Sequence, residues 1–158
     1  LLKGDCSLRM LKGKMTPLKV EDMDRESVVL FFTIPIVNTG RQIGTIMDAF
    51  VRTYLPFEQY DKASVTATLT AADTPRDDGY WQAFIMEIRK PKVFLIKLEI
   101  KGKSGNILRD LEDFPDMPMD IIYQVVARSD YYYAKTRVTL TSEDLRTALY
   151  QYTSGVRK

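Results

Sequence analysis

Apolar residues are densest between residues 28 and 55, and within that stretch their spacing changes once. Residues 28–37 are almost continuously apolar, which is typical of a buried strand. After a polar break at residues 38–40, the apolar residues recur three and four positions apart: Ile43, Ile46, Met47, Phe50, Val51 and Tyr54. This spacing predicts an amphipathic helix over residues 40–55, ended by Pro56. We therefore expect a buried strand that turns directly into a helix packed over a sheet.

The remaining patterns predict more strands and one further helix. Residues 64–71 alternate strictly between apolar and polar side chains, as a half-buried strand does. Two pairs of β-prone runs predict hairpins, one over residues 80–101 with a basic tip and one over residues 121–141. Ser142 can cap a closing helix. The predicted fold is α+β: an antiparallel-rich sheet of about five to six strands packed against an amphipathic helix (40–55) and a C-terminal helix (142–153).

Length and composition indicate one globular domain preceded by an arm. A chain of 158 residues is a usual size for one domain, and its 45% apolar and 28% charged residues are those of ordinary globular proteins. We expect a basic flexible arm over residues 1–25 and a single α+β domain over residues 26–158. No stretch reaches the ~20 apolar residues that are needed to cross a bilayer.

The chain contains no histidine and a single cysteine, Cys6. This excludes Ser-His and Cys-His nucleophiles, and zinc sites built on histidine or on several cysteines. The three aspartates at residues 73–79 lack the glutamate that closes an EF-hand, so we predict no metal site and no cofactor. An enzyme that uses carboxylates from residues 77–78 or 112–113 is a further hypothesis. No partner base accompanies those carboxylates, so the chain is predicted not to be an enzyme.

Basic residues are concentrated in two parts of the chain, although the formal net charge is only +2. Five cations face one aspartate over residues 1–20, and six cations face one glutamate over residues 89–103. Both segments could bind an anionic partner, either phosphate backbone or acidic lipid headgroups. A solvated terminal arm and an edge strand protected by lysines are the alternatives without function. The candidate anion-binding residues are Lys3, Arg9, Lys12, Lys14, Lys19, Arg89, Lys90, Lys92, Lys101 and Lys103.

Residues 108–120 reverse the charge and combine carboxylates with apolar side chains. Such a loop could dock a partner or a second copy of the chain, and the alternative is a solvated loop with its apolar side chains turned inward. The candidate self-association residues are Phe114, Met117 and Met119. Further along, the three tyrosines at residues 131–133 could stack on nucleic-acid bases. Cross-strand packing is the stronger interpretation, because adjacent strand residues point to opposite faces.

The strand Phe31–Ile34, the polar break and the predicted helix Arg41–Tyr54 resemble the opening of the globular domain in rhabdovirus matrix proteins, of the compact plant-rhabdovirus type. The resemblance implies a non-enzymatic viral structural protein that self-associates, condenses the nucleocapsid of nucleoprotein and RNA, and bridges it to the acidic inner face of the envelope. It would lie in the virion between nucleocapsid and envelope. During infection it would occupy the host cytoplasm or nucleus and the inner face of a membrane, with the envelope glycoprotein tail as a further partner.

A second resemblance is to the cell-to-cell movement proteins of plant viruses, which bind single-stranded RNA. It rests on Asp48 after an apolar run, followed by Trp81 and by Ile88 and Arg89 before another strand. The cores of those proteins are rich in β-structure, and they do not place the key aspartate in a helix as regular as the predicted one. On the sequence, the matrix interpretation is therefore preferred.

Overall fold

Nine β-strands, one short helix and one long helix form the part of the chain that the computed structural model describes, residues 6–56, 58–73, 81–127 and 130–156. In chain order the strands are β1 (Leu8–Met10), β2 (Lys19–Met23), β3 (Ser27–Asn38), β4 (Gly44–Thr53), β5 (Ala63–Ala71), β6 (Phe84–Met86), β7 (Lys92–Gly102), β8 (Met117–Ala127) and β9 (Asp130–Leu140). The helices are α1 (Ile107–Asp110) and α2 (Ser142–Val156), and a short 3-10 turn spans Lys12–Lys14.

The strands form two antiparallel sheets. In sheet A the order is β1-β3-β7-β5, and β2 pairs with the same edge of β3 as β1 does, nearer the start of β3. In sheet B the order is β6-β4-β8-β9. β3 and β7 are the centre of sheet A, because they pair without interruption from Ser27–Lys101 to Ile36–Lys92.

The two sheets pack face to face over one hydrophobic core. Alternate residues of β3 are buried, as the period of a strand with one side on a core requires. These residues are Val28, Leu30, Phe32, Ile34 and Ile36. The inward residues of sheet B meet them, and the rings of Phe94 in β7 and Tyr123 in β8 lie 6.5 Å apart. Each large apolar side chain buried in this way contributes about 1.5–3 kcal/mol, so the contact between the sheets is the main source of stability.

The predicted α+β class is wrong, because the stretch predicted as an amphipathic helix (40–55) contains strand β4. The chain is β-rich, with 54% strand and 15% helix. The strands predicted at residues 28–37 and 64–71 are confirmed as β3 and β5, and the hairpin predicted at residues 121–141 is confirmed as the β8–β9 pair. The C-terminal helix is also confirmed as α2. Its first turn is capped by Thr141 rather than Ser142, since the Thr141 hydroxyl accepts from the amide of Asp144 at 3.0 Å.

A β-bulge explains why β4 has a helical pattern in the sequence. The register of β4 with β8 shifts between Ile46 and Asp48, which makes Met47 an extra residue in the strand. The shift places Ile46 and Ala49, three positions apart, on the same inward face. The supposed buried stripe is therefore divided between the two faces of a strand. The members of that stripe that are exposed are Ile43, Met47, Phe50 and Tyr54.

Two further predictions are wrong. Residues 80–101 are not a hairpin, because β6 lies in sheet B and β7 lies in sheet A. Residues 108–120 do not form a loop that exposes apolar side chains, because they contain most of α1, a turn and the start of β8. The candidate self-association residues Phe114, Met117 and Met119 are 2%, 0% and 2% exposed, so they belong to the core. The carboxylates of this segment made it look solvated; Glu112, Asp113 and Asp116 do face water, whereas every large apolar side chain of the segment except Leu108 is buried.

The first described residues lie along the edges of the two sheets. β1 and β2 pair with β3, so the predicted basic arm is part of sheet A where it is described. At one end of this segment, the Tyr132 hydroxyl of β9 donates a hydrogen bond to the carbonyl of Cys6 at 2.9 Å. At the other end, residues 15–18 line a cleft together with residues 138–140 of β9. The N-terminal segment, residues 6–18, therefore runs along β9 and closes this side of the molecule.

Replacing Gly44 by alanine should destabilise the fold, because β4 passes against the N-terminal segment at this position. A Cβ atom at Gly44 would collide with Cys6 Sγ, and it would lie 3.1 Å from Cys6 Cβ and 3.4 Å from Val125 Cγ1. We expect Gly44→Ala to lower the free energy of unfolding by about 1–3 kcal/mol, measured by urea denaturation. Gly13→Ala is the control, since no heavy atom lies within 4 Å of its added Cβ. Equal effects of the two alanines would contradict this packing.

Candidate binding surfaces

The outer surface of sheet B exposes several large apolar side chains. They come from β4, β6 and β9 and their immediate flanks, where outward positions alternate with buried ones. Their exposed fractions range from 38% to 61%. We refer to this surface as the outer face, and its exposed apolar residues are Ile43, Met47, Phe50, Tyr54, Ile85, Tyr131 and Tyr133. A concentration of large apolar side chains on the surface of a domain marks an interaction site.

The strand register arranges the outer face in rows that cross β4, β8 and β9. The first row is Asp48, Gln124 and Tyr133, the second is Phe50, Ile122 and Lys135, and the third is Arg52, Asp120 and Arg137. A row with a carboxylate and an aromatic ring and a row with two guanidinium groups therefore flank a row with an apolar centre.

Asp120 in the third row is buried, although its position on β8 faces outward, because two side chains cover it. Arg137 donates to Asp120 Oδ1 at 2.9 Å and to Oδ2 at 3.2 Å, and the Tyr54 hydroxyl donates to Oδ2 at 2.9 Å. The hydrogen bonds from Arg137 are the largest cause that lowers the pKa of Asp120 from 3.8 to about 2, and the Tyr54 bond adds to it. The Arg137 guanidinium also lies 5.1 Å from the centroid of the Tyr54 ring. These contacts fix the position of Arg137 while its side chain stays 57% exposed.

The N-terminal part of the chain carries four exposed cations that form no ion pair with any described residue. We call them the basic strip: Arg9, Lys12, Lys14 and Lys19. Arg9, Lys12 and Lys14 lie on the N-terminal segment that runs along β9, and Lys19 begins β2. Lys3 lies outside the described residues. Because no carboxylate in the described part of the chain pairs with the strip, its charge is open to an external anion.

The second predicted basic group is divided, and most of it is paired with carboxylates of the same chain. Arg89, Lys90 and Lys92 lie at one end of β7, and Lys101 and Lys103 lie at the other. The ion pairs are Lys90–Glu87 (2.8 Å), Lys92–Asp73 (3.1 Å) and Lys101–Glu99 (3.5 Å). The ten candidate cations therefore do not form one surface, and the basic strip is the better candidate for binding an anion.

The carboxylates considered for catalysis or metal binding do not converge in the described part of the chain. There, no group of three or more histidine, cysteine, aspartate or glutamate side chains is placed to hold a metal ion. Residues 77–78 lie outside the described residues, and Asp113 forms an exposed ion pair with Lys62 at 2.7 Å. No described helix has both the length and the apolar character needed to span a bilayer.

The outer face does not follow from the sequence pattern, because the spacing of apolar residues in β4 predicts a helix whose apolar stripe would be covered. One signal for the face was present in the three consecutive tyrosines, since side chains two apart on a strand share a face. The expected alternation is confirmed: Tyr131 and Tyr133 are 61% and 60% exposed, and Tyr132 points to the N-terminal segment. The rings of Tyr131 and Tyr133 meet edge to face with centroids 6.2 Å apart.

No family model matches the chain, and no curated protein matches it. Among solved structures, the structural genomics target SoR45 has a TM-score of 0.46 at 14% identity, covering 85% of this chain and 86% of that one. A structural genomics target from Bordetella pertussis, described as ApaA, has a TM-score of 0.43 at 12% identity, covering 87% and 94%. The GAE domain of yeast GGA1 has a TM-score of 0.37 at 9% identity, covering 78% and 97%. These scores assign the chain to no family.

The hydrogen-bonded group of Asp120, Arg137 and Tyr54, called the Asp120 cluster below, should make stability depend on pH below about pH 4. The folded pKa of Asp120, about 2, lies below its ordinary value of 3.8, so its stabilising contribution is present above pH 3.8 and is lost as the pH falls towards 2. We expect Asp120→Asn to lower the urea midpoint at pH 7, and the difference from the wild type to shrink near pH 2. Asp113→Asn, which breaks an exposed pair, should change the midpoint much less. A deficit of the same size at both pH values would mean that packing, and not charge, is lost.

Proposed function

We propose that this chain is a non-enzymatic viral protein that binds single-stranded RNA through the basic strip. The observation that carries the proposal is the set of exposed cations at Arg9, Lys12, Lys14 and Lys19, which have no carboxylate partner among the described residues. A line of such cations favours a polyanion, because each phosphate that it neutralises releases condensed counterions.

The β-rich fold supports a protein of the movement type. The predicted regular helix around Asp48 disfavours that class, but Asp48 lies in strand β4. The other residues of the resemblance lie near the same part of the fold. Trp81 donates its indole hydrogen to the carbonyl of Ile46 in β4 at 3.2 Å, and Ile88 forms a parallel bridge with Asn38 at the end of β3. The residues that resemble the movement-protein core are thus attached to the central strands of both sheets.

The matrix type is the second candidate. The strand-to-helix pattern that carried its resemblance is absent, because β4 replaces the helix. The basic strip still favours it, since the same four cations would bind acidic headgroups on the inner face of a membrane. In that proposal the chain assembles into a lattice between the envelope and the nucleoprotein–RNA of the virion, with the envelope glycoprotein tail as a further contact.

Binding of single-stranded RNA should depend on salt and on the basic strip. About four phosphate contacts predict that the logarithm of the association constant falls with the logarithm of salt concentration with a slope of about −2.8. The double substitution Lys12→Glu and Lys14→Glu removes two contacts, so the slope should become shallower by about 1.4 and affinity should fall at every salt concentration. Fluorescence anisotropy with a labelled oligouridylate measures both quantities.

The matched control for this experiment is the double substitution Lys90→Glu and Lys101→Glu. It makes the same change in net charge at two lysines that are already paired with Glu87 and Glu99. We expect its salt slope to equal that of the wild type. If the two double variants lose RNA affinity equally, the effect is one of total charge and the assignment of the strip is overturned.

Flotation with vesicles distinguishes the second candidate from the first. If the basic strip binds RNA, the wild type and the Lys12→Glu and Lys14→Glu variant should float equally with phosphatidylserine vesicles at physiological salt. Oligouridylate should also displace any protein that is bound to the vesicles. Flotation that requires Lys12 and Lys14 and persists in the presence of oligouridylate would instead establish the matrix type. The assay therefore decides which polyanion the strip meets.

A further inference from the structure

We infer that the outer face of sheet B is the surface on which a second copy of this chain docks, sheet against sheet, about a two-fold axis that crosses the strands at the second row. This inference goes beyond the proposed RNA binding and does not depend on it. It also moves self-association from the predicted residues Phe114, Met117 and Met119, which are buried, to the outer face, where the sequence pattern had assigned Ile43, Met47, Phe50 and Tyr54 to the apolar stripe of a helix.

The composition of the outer face is that of the centre of a protein interface. Aromatic residues, methionine and arginine are enriched at such centres and occur here, although Asp48 and Lys135 in the rows of this face are of types that are depleted there. Ile43, Met47 and Ile85 are 55%, 48% and 57% exposed on the β4 and β6 side, and Tyr131 and Tyr133 are as exposed on β9. Large apolar side chains concentrated on one sheet face are costly in water unless something covers them.

The charges of the outer face fit a second copy, because all of them except that of Lys135 meet a complementary group under one orientation. Consider a two-fold axis that lies in the plane of the interface and runs along the second row, at right angles to the strands. It leaves each strand opposite its own equivalent in the second copy and exchanges the first and third rows. Asp48 then faces Arg52 of the second copy, and Tyr133 faces Arg137 of the second copy. Phe50 and Ile122 meet their own equivalents on the axis, and so does Lys135, whose long flexible stem lets the two ammonium groups separate at the β9 edge of the sheet. One contact therefore joins a carboxylate to a guanidinium and the other joins a tyrosine ring to a guanidinium. The two-fold axis repeats each contact once.

The competing orientation is disfavoured by the same charges. An axis parallel to the strands, along β8, would exchange β4 with β9 within each row. Arg52 would then face Arg137 of the second copy, Asp48 would face Tyr133, and Lys135 would face Phe50, so one favourable contact accompanies two oppositions of guanidinium groups. Like charges opposed in this way repel and oppose association. The register of sheet B thus favours one of the two simple face-to-face packings.

The Asp120 cluster prepares Arg137 for this contact. Its guanidinium is held by two hydrogen bonds to Asp120 and lies over the Tyr54 ring, so little side-chain entropy remains to be lost when a partner ring arrives. Asp48 and Arg52 are exposed, and neither forms an ion pair with a described residue, so both are available to a second copy.

The size of the face sets the expected strength of the dimer. Three strands of about ten residues give a surface of roughly 33 by 14 Å. This is at the small end of specific interfaces, which are commonly weak. We therefore expect a monomer–dimer equilibrium with a dissociation constant in the micromolar range, measured on the full chain by sedimentation velocity without RNA.

A charge exchange across the two-fold axis is the decisive test. Arg52→Glu alone places a carboxylate opposite Asp48 of the second copy, and Asp48→Arg alone places a guanidinium opposite Arg52 of the second copy. Each single variant should raise the dissociation constant at least about tenfold. The double variant, Asp48→Arg with Arg52→Glu, restores opposite charges in both contacts and should return to within about threefold of the wild type. Circular dichroism and the urea midpoint check that each variant folds.

Two further variants complete the experiment. Phe50→Asp, on the axis, should abolish the dimer, whereas Tyr150→Asp, on exposed α2, should not change it. The inference is overturned if the wild type stays monomeric at high micromolar concentration, or if the double exchange remains as weak as the single variants. It is also overturned if Tyr133→Ala leaves the dimer intact and lowers RNA affinity about fivefold or more, because the face would then be a base-stacking platform. The basic-strip variants report on RNA binding separately, so the two proposals can fail independently.

Discussion

The pairing of β3 with β7 is the interaction on which the rest of the structure depends. The two strands match without a break, and the register sends Leu30 and Leu98 to the core on the same side of sheet A. Because side chains alternate with a period of two, a slip by one residue would turn every buried side chain of β3 into water. The free edge of β3 then holds β1 and β2, which carry Arg9 and Lys19 of the basic strip. The position of the candidate anion site is therefore a consequence of core register.

Elements in which the spacing of apolar residues is regular could be predicted from the sequence. Strand β4, in which a bulge disturbs that spacing, could not. β3, β5, the β8–β9 hairpin and α2 each show one clear pattern, and each is found where it is expected. β4 contains the bulge at Met47, which places Ile46 and Ala49 three apart on one face and imitates a helix. Its high content of β-branched and aromatic residues was a contrary signal of lower weight. Only pairing with β8, far along the chain, decides between the two structures.

The binding surfaces could be predicted only in part, because they too depend on contacts between distant parts of the chain. Charge counts along the chain identified the cations of the strip, but they cannot show which lysines meet a carboxylate in the folded state. Lys90 and Lys101 do so within a few residues of their own positions, whereas Lys92 reaches Asp73. Burial of Asp120 behind Arg137 depends on the β8–β9 register and on the position of Tyr54, which no local pattern carries. The outer face was hidden by the single error at β4.

The two proposed surfaces are linked by geometry. An axis that crosses the strands leaves β9 of one copy opposite β9 of the other, so both N-terminal segments would lie on the same side of the proposed dimer. The strips, with Lys12 and Lys14 of each copy, would then run in opposite directions along one side. A polyanion that crosses both strips meets twice the number of cations, and the second strip binds at a high effective concentration once the first is engaged. RNA binding and dimer formation would therefore strengthen each other, because a ligand that bridges two copies favours the state in which they are joined.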